Sequence, residues 1–262
     1  MTEQALAVGV APATVRRETA VAGSVPKFEI SEWRERFGVV AGITGRGGES
    51  APFDLGLAGA NTSVGQVMGR WRRFRESVPE FPGVVVSQQV HGTAVLWHDV
   101  AAGLTILDAA DGHATSTPGL LLGVTAADCV PVYLIDPIRR AVALLHAGWR
   151  GTAGGILARG VELLLARGSV VDNLLIHCGI GICGSCYEVG SEVFIGCGVA
   201  VPPAGRGWLD VRSVLVRQAR ELGVENVSTS PFCSMHDQPL FFSHRASGGA
   251  DGRMVAYLGL SK

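Results

Sequence analysis

Residues 120–135 read LLLGVTAADCVPVYLI, and their reading decides the architecture. Two apolar runs, Leu120 to Thr125 and Val130 to Ile135, flank Ala126-Ala127-Asp128-Cys129. Each run is short and nearly unbroken, the pattern of a strand buried on both faces. Asp128 and Pro131 interrupt the stretch, so it is not a bilayer span. Upstream, Asp111-Gly112 and Pro118-Gly119 mark turns. Downstream, Ala141 to Ala147 reads as a third buried strand running into Gly148-Trp149-Arg150-Gly151-Thr152. Beyond it Ile156, Leu157, Val161, Leu164 and Leu165 recur at helical spacing. Short β-branched runs alternating with longer amphipathic stretches predict a mixed α and β domain.

Residues 83–92, GVVVSQQVHG, read as a strand whose period of two puts Ser87, Gln89 and His91 on one face and Val86, Gln88 and Val90 on the other. Leu209 to Leu222 predicts a second amphipathic helix. Leu240 to Ser243 and Met254 to Leu260 read as strands bracketing a Gly-rich turn, the last of them completing a sheet. Residues 1–26 are rich in Ala, Val and Thr without sustained periodicity and close on Gly23-Ser24-Val25-Pro26. A flexible N-terminal tail over 1–26 is therefore expected, followed by one domain over 27–262, and no internal repeat is visible.

Composition removes several classes of function. With 22 Lys and Arg against 23 Asp and Glu, the formal net charge is −1, too balanced to gather nucleic acid. Hydrophobic residues at 47% and charged residues at 17% supply a sizeable core and exclude a disordered chain. No signal peptide or membrane segment is expected, because Glu3, Arg16, Arg17 and Glu18 interrupt the start and no unbroken apolar core follows. Cys129, Cys178, Cys183, Cys186, Cys197 and Cys233, in a chain of this size without a secretory signal, suggest reduced thiols and a cytoplasmic location.

His91, Cys129 and His146 each fall at the edge of an expected strand beside small residues. Two imidazoles and a thiolate suit zinc or copper, and three protein ligands leave a fourth position open. The same atoms also fit a cysteine nucleophile assisted by a histidine, or a buried core thiol beside hydrogen-bonded histidines, and spacing alone separates none of these. Asp128 is a candidate proton carrier or orienting carboxylate, or simply a turn residue. Gly148-Trp149-Arg150-Gly151-Thr152 resembles an anion cradle, with Arg150 as a fork for phosphate. Arg46, Arg245 and Arg253 stand in Gly-rich or strand-end settings that suit either anion binding or an ordinary surface. Cys183-Gly-Ser-Cys186 with Cys233-Ser-Met-His236 has the two-plus-two spacing of a structural zinc site, provided that the two halves meet in space; free structural thiols are the alternative.

Taken in order, the motifs Gln89-Val90-His91-Gly92, Ala127-Asp128-Cys129-Val130-Pro131, His146-Ala147-Gly148-Trp149-Arg150-Gly151, Cys186-Tyr187-Glu188-Val189-Gly190 and Phe241-Phe242-Ser243-His244-Arg245 with Gly252-Arg253 resemble the signature of the YfiH-like, or laccase-domain, family. The resemblance spans roughly residues 36–260. It implies a single-domain four-layer α/β/β/α sandwich with mixed β-sheets and a zinc or copper site formed by His91, Cys129 and His146. These three residues with Asp128 become the expected catalytic group, and Arg46, Gln89, Arg150 and Arg245 are expected at substrate and phosphate. The implied activity is metal-dependent purine nucleoside phosphorylase, acting on adenosine, inosine and methylthioadenosine with phosphate, together with adenosine deamination. Alternatives are a cysteine-type amidase editing peptidoglycan precursors, a single-copper polyphenol oxidase, or a non-catalytic binding protein that keeps the fold. A multicopper oxidase is excluded, since the chain has seven histidines and no His-x-His pair. The chain departs from the family pattern at Asp54, Leu215, Ile180 and His244, which implies an altered substrate preference.

Overall fold

The structure, a computed structural model, describes residues 13–48, 50–57, 63–100 and 102–262. Numbered along the chain, the two apolar runs around Cys129 form β9 (Leu120–Ala126) and β10 (Val130–Asp136), and they belong to different sheets. One sheet has the order β1 (Thr14–Val15), β15 (Asn226–Thr229), β12 (Leu175–Cys178), β10, β11 (Ala141–Ala147), β8 (Gly112–Thr115) and β6 (Val95–Trp97). The other has the order β2 (Thr19–Val21), β3 (Lys27–Glu29), β4 (Val39–Thr44), β16 (Met254–Leu260), β9, β5 (Gly83–Ser87) and β7 (Gly103–Leu107). Both mix directions: β10 is antiparallel to β11 and β12, whereas β5 runs parallel to β7 and β9. A short antiparallel pair, β13 (Glu188–Gly190) and β14 (Arg206–Trp208), stands apart. The helices are α1 (Ser31–Phe37), α2 (Val64–Glu76), α3 (Trp149–Ala153), α4 (Ile156–Ala166), α5 (Ser191–Gly196) and α6 (Val211–Glu221).

The continuous apolar strands follow from burial on both faces. In β10, Tyr133 and Ile135 enter the core between the sheets, where Leu122, Val124, Ala256 and Leu258 meet them. Val132 and Leu134 point the other way, against Leu157, Val161 and Leu164 of α4 and Leu215 and Ala219 of α6. On the far side, Leu121, Val255 and Tyr257 pack under Trp71 and Phe74 of α2. The result is four layers, helix, sheet, sheet, helix, as the family resemblance implied. Each large aliphatic or aromatic side chain buried this way contributes about 1.5–3 kcal/mol.

Three expectations are corrected. Residues 1–12 of the expected tail lie outside the described residues, but residues 13–26 are anchored: β1 extends one sheet and β2 the other. Between them Glu18 is buried, its carboxylate accepting from His177 Nε2 at 3.0 Å and Ser230 Oγ at 2.7 Å. Strands of two and three residues carry no periodic signal, which is why composition suggested a tail. The strand from Gly83 ends at Ser87 rather than reaching His91, so the alternation of faces stops there and Val90 is exposed. The segment Leu240 to Ser243 is irregular. Phe241 and Phe242 are both buried, so no alternation exists, and the Ser243 amide donates to the Asp251 carboxylate rather than to a strand.

Candidate metal centre

The pairing of β10 with β11 sets Val130 opposite Ala147 and Pro131 opposite His146, so the residues just outside the ladder, Cys129 and Gly148, also face each other. Cys129 thus sits where the chain crosses from one sheet to the other. Asp128, just before it, has φ +82, a left-handed conformation that a non-glycine residue holds only when fixed by its surroundings. Its backbone carbonyl accepts from Ile182 N, and its carboxylate accepts from Ser234 Oγ at 2.6 Å and Arg245 N at 2.6 Å.

On the other side of β11, β8 begins one residue after Asp111, whose carbonyl accepts from His146 N at 2.7 Å. The fully buried Asp111 carboxylate then organises the site. It accepts from His146 Nδ1 at 3.0 Å and from three consecutive backbone amides, Val90 at 3.2 Å, His91 at 2.9 Å and Gly92 at 2.7 Å. These bonds pull the chain out of β5 into a turn in which His91 has φ +59. They also fix the imidazole of His146, leaving Nε2 as its free nitrogen.

The donor atoms of His91, Cys129 and His146 all lie within 4.8 Å of one another, and the two imidazoles meet edge to face with centroids 4.9 Å apart. His146 is buried, Cys129 half-buried and His91 exposed, so the group has a closed floor and an open side. Burial alone would raise the Cys129 thiol, but the His146 and His91 imidazoles beside it overcome that and bring it down to about 6. Burial alone would lower His146, but the Cys129 thiolate and Asp111 raise it to about 9. Asp111 is likewise held below the usual carboxylate range despite burial, by His146 and the Gly92 and Val90 amides. Two imidazoles and a ready thiolate are a donor set that can hold a metal ion. Gly148 leaves the room for it: a Cβ there would stand 3.0 Å from both Cys129 Sγ and His91 Cδ2.

The remaining expected residues divide. Arg150 and Arg245 are both exposed and flank Tyr187: the Arg245 guanidinium stacks on the Tyr187 ring at 5.0 Å and donates to Glu188 O, while Arg150 stacks on Trp149 at 4.4 Å. The Tyr187 hydroxyl is pushed up to about 12, by burial first and then by the Cys129 thiolate, with both guanidinium groups opposing. Asp128 has both carboxylate oxygens engaged away from the triad, so its contacts are those of a latch rather than of a proton carrier. Gln89 spends its amide on Thr125, donating to its carbonyl at 2.7 Å and accepting from its amide at 2.8 Å. Arg46 pairs with Asp251 at 2.8 Å over the Phe242 ring. Arg253 donates to the Asp251 and Gly252 carbonyls. The departures at Asp54 and Leu215 are structural: Asp54 accepts from the Gly56 and Arg253 amides, and Leu215 is in the core. Asp111 and Tyr187 were missed as site residues, the first because Asp-Gly reads as a turn. The second cysteine group also closes, with Cys183, Cys186, Cys233 and His236 offering donors within 4.8 Å of one another.

A two-sheet α/β protein with an open His-Cys-His donor group at the crossing between its sheets is the class that fold and site define. The family described as multi-copper polyphenol oxidoreductase laccase, the YfiH-like family, matches residues 41–261, and the chain belongs to it. It is 34% identical over 249 residues to the purine nucleoside phosphorylase YlmD of Geobacillus stearothermophilus, covering 85% of this chain and 90% of that protein. The crystal structure of YlmD superposes with a TM-score of 0.85 at 29% identity, over 94% of this chain and 100% of that one. The YfiH protein of Bacillus licheniformis gives 0.82 at 28% identity, over 90% and 96%. The adenosine deaminase RL5, from an unknown prokaryotic organism, is 35% identical over 159 residues, 56% of this chain and 61% of that protein. The multi-copper description does not fit the histidines. His98 and His113 bond each other at 3.0 Å, His177 bonds Glu18, and His236 lies with Cys183, Cys186 and Cys233. No trinuclear ligand set can be assembled from them. Among the described residues, no helix is long and apolar enough to cross a membrane.

Proposed function

We propose that this chain is a metal-dependent purine nucleoside phosphorylase that also deaminates adenosine. The observation that carries the reading is the open His91, Cys129 and His146 group, bordered by Arg150, Arg245 and Tyr187, in a chain whose relatives bear the phosphorylase and deaminase names. His91, Cys129 and His146 would hold zinc or copper, which when bound supplies Lewis-acid activation of an oxygen nucleophile. Arg150 and Arg245 bind phosphate and offset its charge. A phosphate oxygen attacks C1′ of the ribose, the bond from C1′ to the base nitrogen breaks, and the products are ribose 1-phosphate and the free base, which takes up one proton. Tyr187, protonated at neutral pH, offers a hydrogen-bond donor beside Cys129. In deamination a water oxygen replaces the C6 amino group, which leaves as ammonia.

The test is phosphate-dependent release of adenine or hypoxanthine by the metal-loaded chain, by chelated protein and by Cys129→Ala. Release that depends on both phosphate and metal and vanishes in the variant supports the reading; no release under any metal loading overturns it.

One observation favours a second reading. Cys129, His146 and Asp111 also line up as nucleophile, base and orienting carboxylate, with the thiol near 6. A cysteine amidase acting on a cell-wall precursor would keep its activity under chelation, the opposite of the phosphorylase.

A further inference from the structure

The geometry points to a second metal site, a closed zinc centre formed by Cys183, Cys186, Cys233 and His236, independent of the activity proposed above and separate from the His91, Cys129 and His146 group. Two tight turns build it. In the first, the Cys186 and Tyr187 amides both donate to the Cys183 carbonyl at 3.1 Å, presenting two thiols two residues apart on one side of the turn. In the second, Asp237 N donates to the Cys233 carbonyl at 2.9 Å while the Asp237 carboxylate accepts from Cys233 N at 2.7 Å, which projects Cys233 and His236 together. A parallel bridge between Gly181 and Cys233, with Ser234 N donating to Gly181 O at 3.1 Å, holds the turns face to face.

Three details favour a metal over idle thiols or a simple redox pair. Each of the four residues offers a donor atom within 4.8 Å of the others: Cys186 Sγ is 3.0 Å from His236 Nε2 and Cys183 Sγ is 3.6 Å from the other ring nitrogen, Nδ1, so the imidazole lies between the two thiols and ligates through one of its nitrogens. Tetrahedral zinc with its usual bonds to sulfur and nitrogen needs donors about 3.5–3.8 Å apart, so the group closes on an ion once its side chains shift to that spacing. Second, the Cys233 sulfur accepts two backbone amides, Cys183 N at 3.3 Å and His236 N at 3.4 Å. A neutral thiol is a weak acceptor, whereas a ligating thiolate is held and tuned by such donors. Third, a disulfide between Cys183 and Cys186 would leave the convergence of Cys233 and His236 on the same point without a purpose. Three thiolates and one imidazole match zinc, and four protein ligands leave no open position, the arrangement of a structural rather than a catalytic ion.

The site joins the two segments that wall the first centre. Residues 182–188 carry Tyr187 and Glu188, and the segment after Cys233 carries Arg245. Both segments also grip Asp128, through Ile182 N, Ser234 Oγ and Arg245 N. Zinc there would fix the crossing that presents Cys129.

The experiment uses the full chain carrying His91→Ala and Cys129→Ala, which dismantles the first centre and leaves the second intact. After loading with Zn2+ under reductant and dialysis, metal analysis is expected to find one zinc per chain, and X-ray absorption a shell of three sulfurs and one nitrogen. Zinc absent, or bound only by nitrogen and oxygen, overturns the proposal. The Cys129→Ala protein gives a second readout. Loaded with Co2+, it is expected to show intense thiolate charge-transfer bands that are lost when Cys186→Ser is added. Bands unaffected by Cys186→Ser, or a Cys183 to Cys186 disulfide that persists in reductant with metal present, also overturn it.

Discussion

Asp111→Asn probes the bonds that hold the first centre. The carboxylate accepts four hydrogen bonds, two at Oδ1 from His91 N and His146 Nδ1 and two at Oδ2 from Val90 N and Gly92 N. An asparagine has the same shape but one accepting oxygen, so its NH2 must face one of these donor pairs. Two donors then lose their partner, at about 1–3 kcal/mol each when fully buried; only His146 Nδ1 is, so ~2–6 kcal/mol in total is the upper limit. That is a large share of the ~5–15 kcal/mol that holds a typical domain. If the NH2 faces His146, the imidazole must turn its proton to Nε2 and cannot ligate. If it faces Val90 and Gly92, the turn that presents His91 loosens. Either way, affinity for zinc at this site is expected to fall by about 10–100-fold. The assay is protection of Cys129 from alkylation, read by mass spectrometry as free Zn2+ is titrated in a chelator buffer, which reports this centre without interference from the other cysteines. Unfolding in urea gives the stability. A folded Asp111→Asn protein with half-protection within threefold of wild type would refute the assignment of Asp111 as organiser of the site.

Other outcomes follow from the same geometry. Gly148 has φ −72, which any residue adopts, so Gly148→Ala should leave metal-free stability within about 1 kcal/mol of wild type. It should nonetheless weaken zinc protection of Cys129 by on the order of tenfold through crowding; unchanged protection would contradict this. Arg150→Ala and Arg245→Ala should each raise the KM for phosphate roughly tenfold, the loss of about 1.5 kcal/mol of charged hydrogen bonding, with Cys129 protection unaltered; steady-state kinetics with varied phosphate decides. His113, buried between Ser87 Oγ and His98 Nε2, is lowered from 6.5 to about 3 by burial first and by His98 second. The unfolded chain therefore takes up a proton that the folded chain refuses. Its contribution is complete above pH 6.5 and is lost as pH falls toward 3, at up to ~1.4 kcal/mol per pH unit. Urea midpoints at pH 6 and pH 4 should converge for His113→Gln relative to wild type, and equal slopes would count against it.

Much of the frame was legible because burial on both faces leaves an unmistakable apolar run. Residues 120–135 and 141–147 form strands within a residue of where they read, and Leu157, Val161 and Leu164 form the inner face of α4. What stayed hidden depends on long-range partners. Nothing local tells that β9 and β10 part into different sheets, or that Thr14 pairs with Ser228. His91 was found, but on the wrong backbone, since a carboxylate twenty residues away bends the chain that presents it. Asp111 itself was obscured because Asp-Gly is a strong turn signal and the turn reading satisfied it. The halves of the second cysteine group lie about fifty residues apart, and long-range contacts such as the bridge at Gly181 bring them together.

The way His91 is held bears on whether Cys129 ligates or attacks. A nucleophilic arrangement is complete with Cys129, His146 and Asp111, and a second imidazole adds nothing to the proton path. Yet the fold gives two of the four Asp111 bonds to the amides on either side of His91 and a third to its own amide. It also holds His91 at φ +59, a conformation that costs a non-glycine residue about 1–2 kcal/mol. Across from it, position 148 is kept free of a side chain that would touch both His91 and Cys129. Strain of this kind persists only where the surroundings impose it. What it achieves here is a third donor aimed at the space between a thiolate and a fixed imidazole. Three donors so placed would hold a metal ion, and the open side beside His91 is where a substrate would enter.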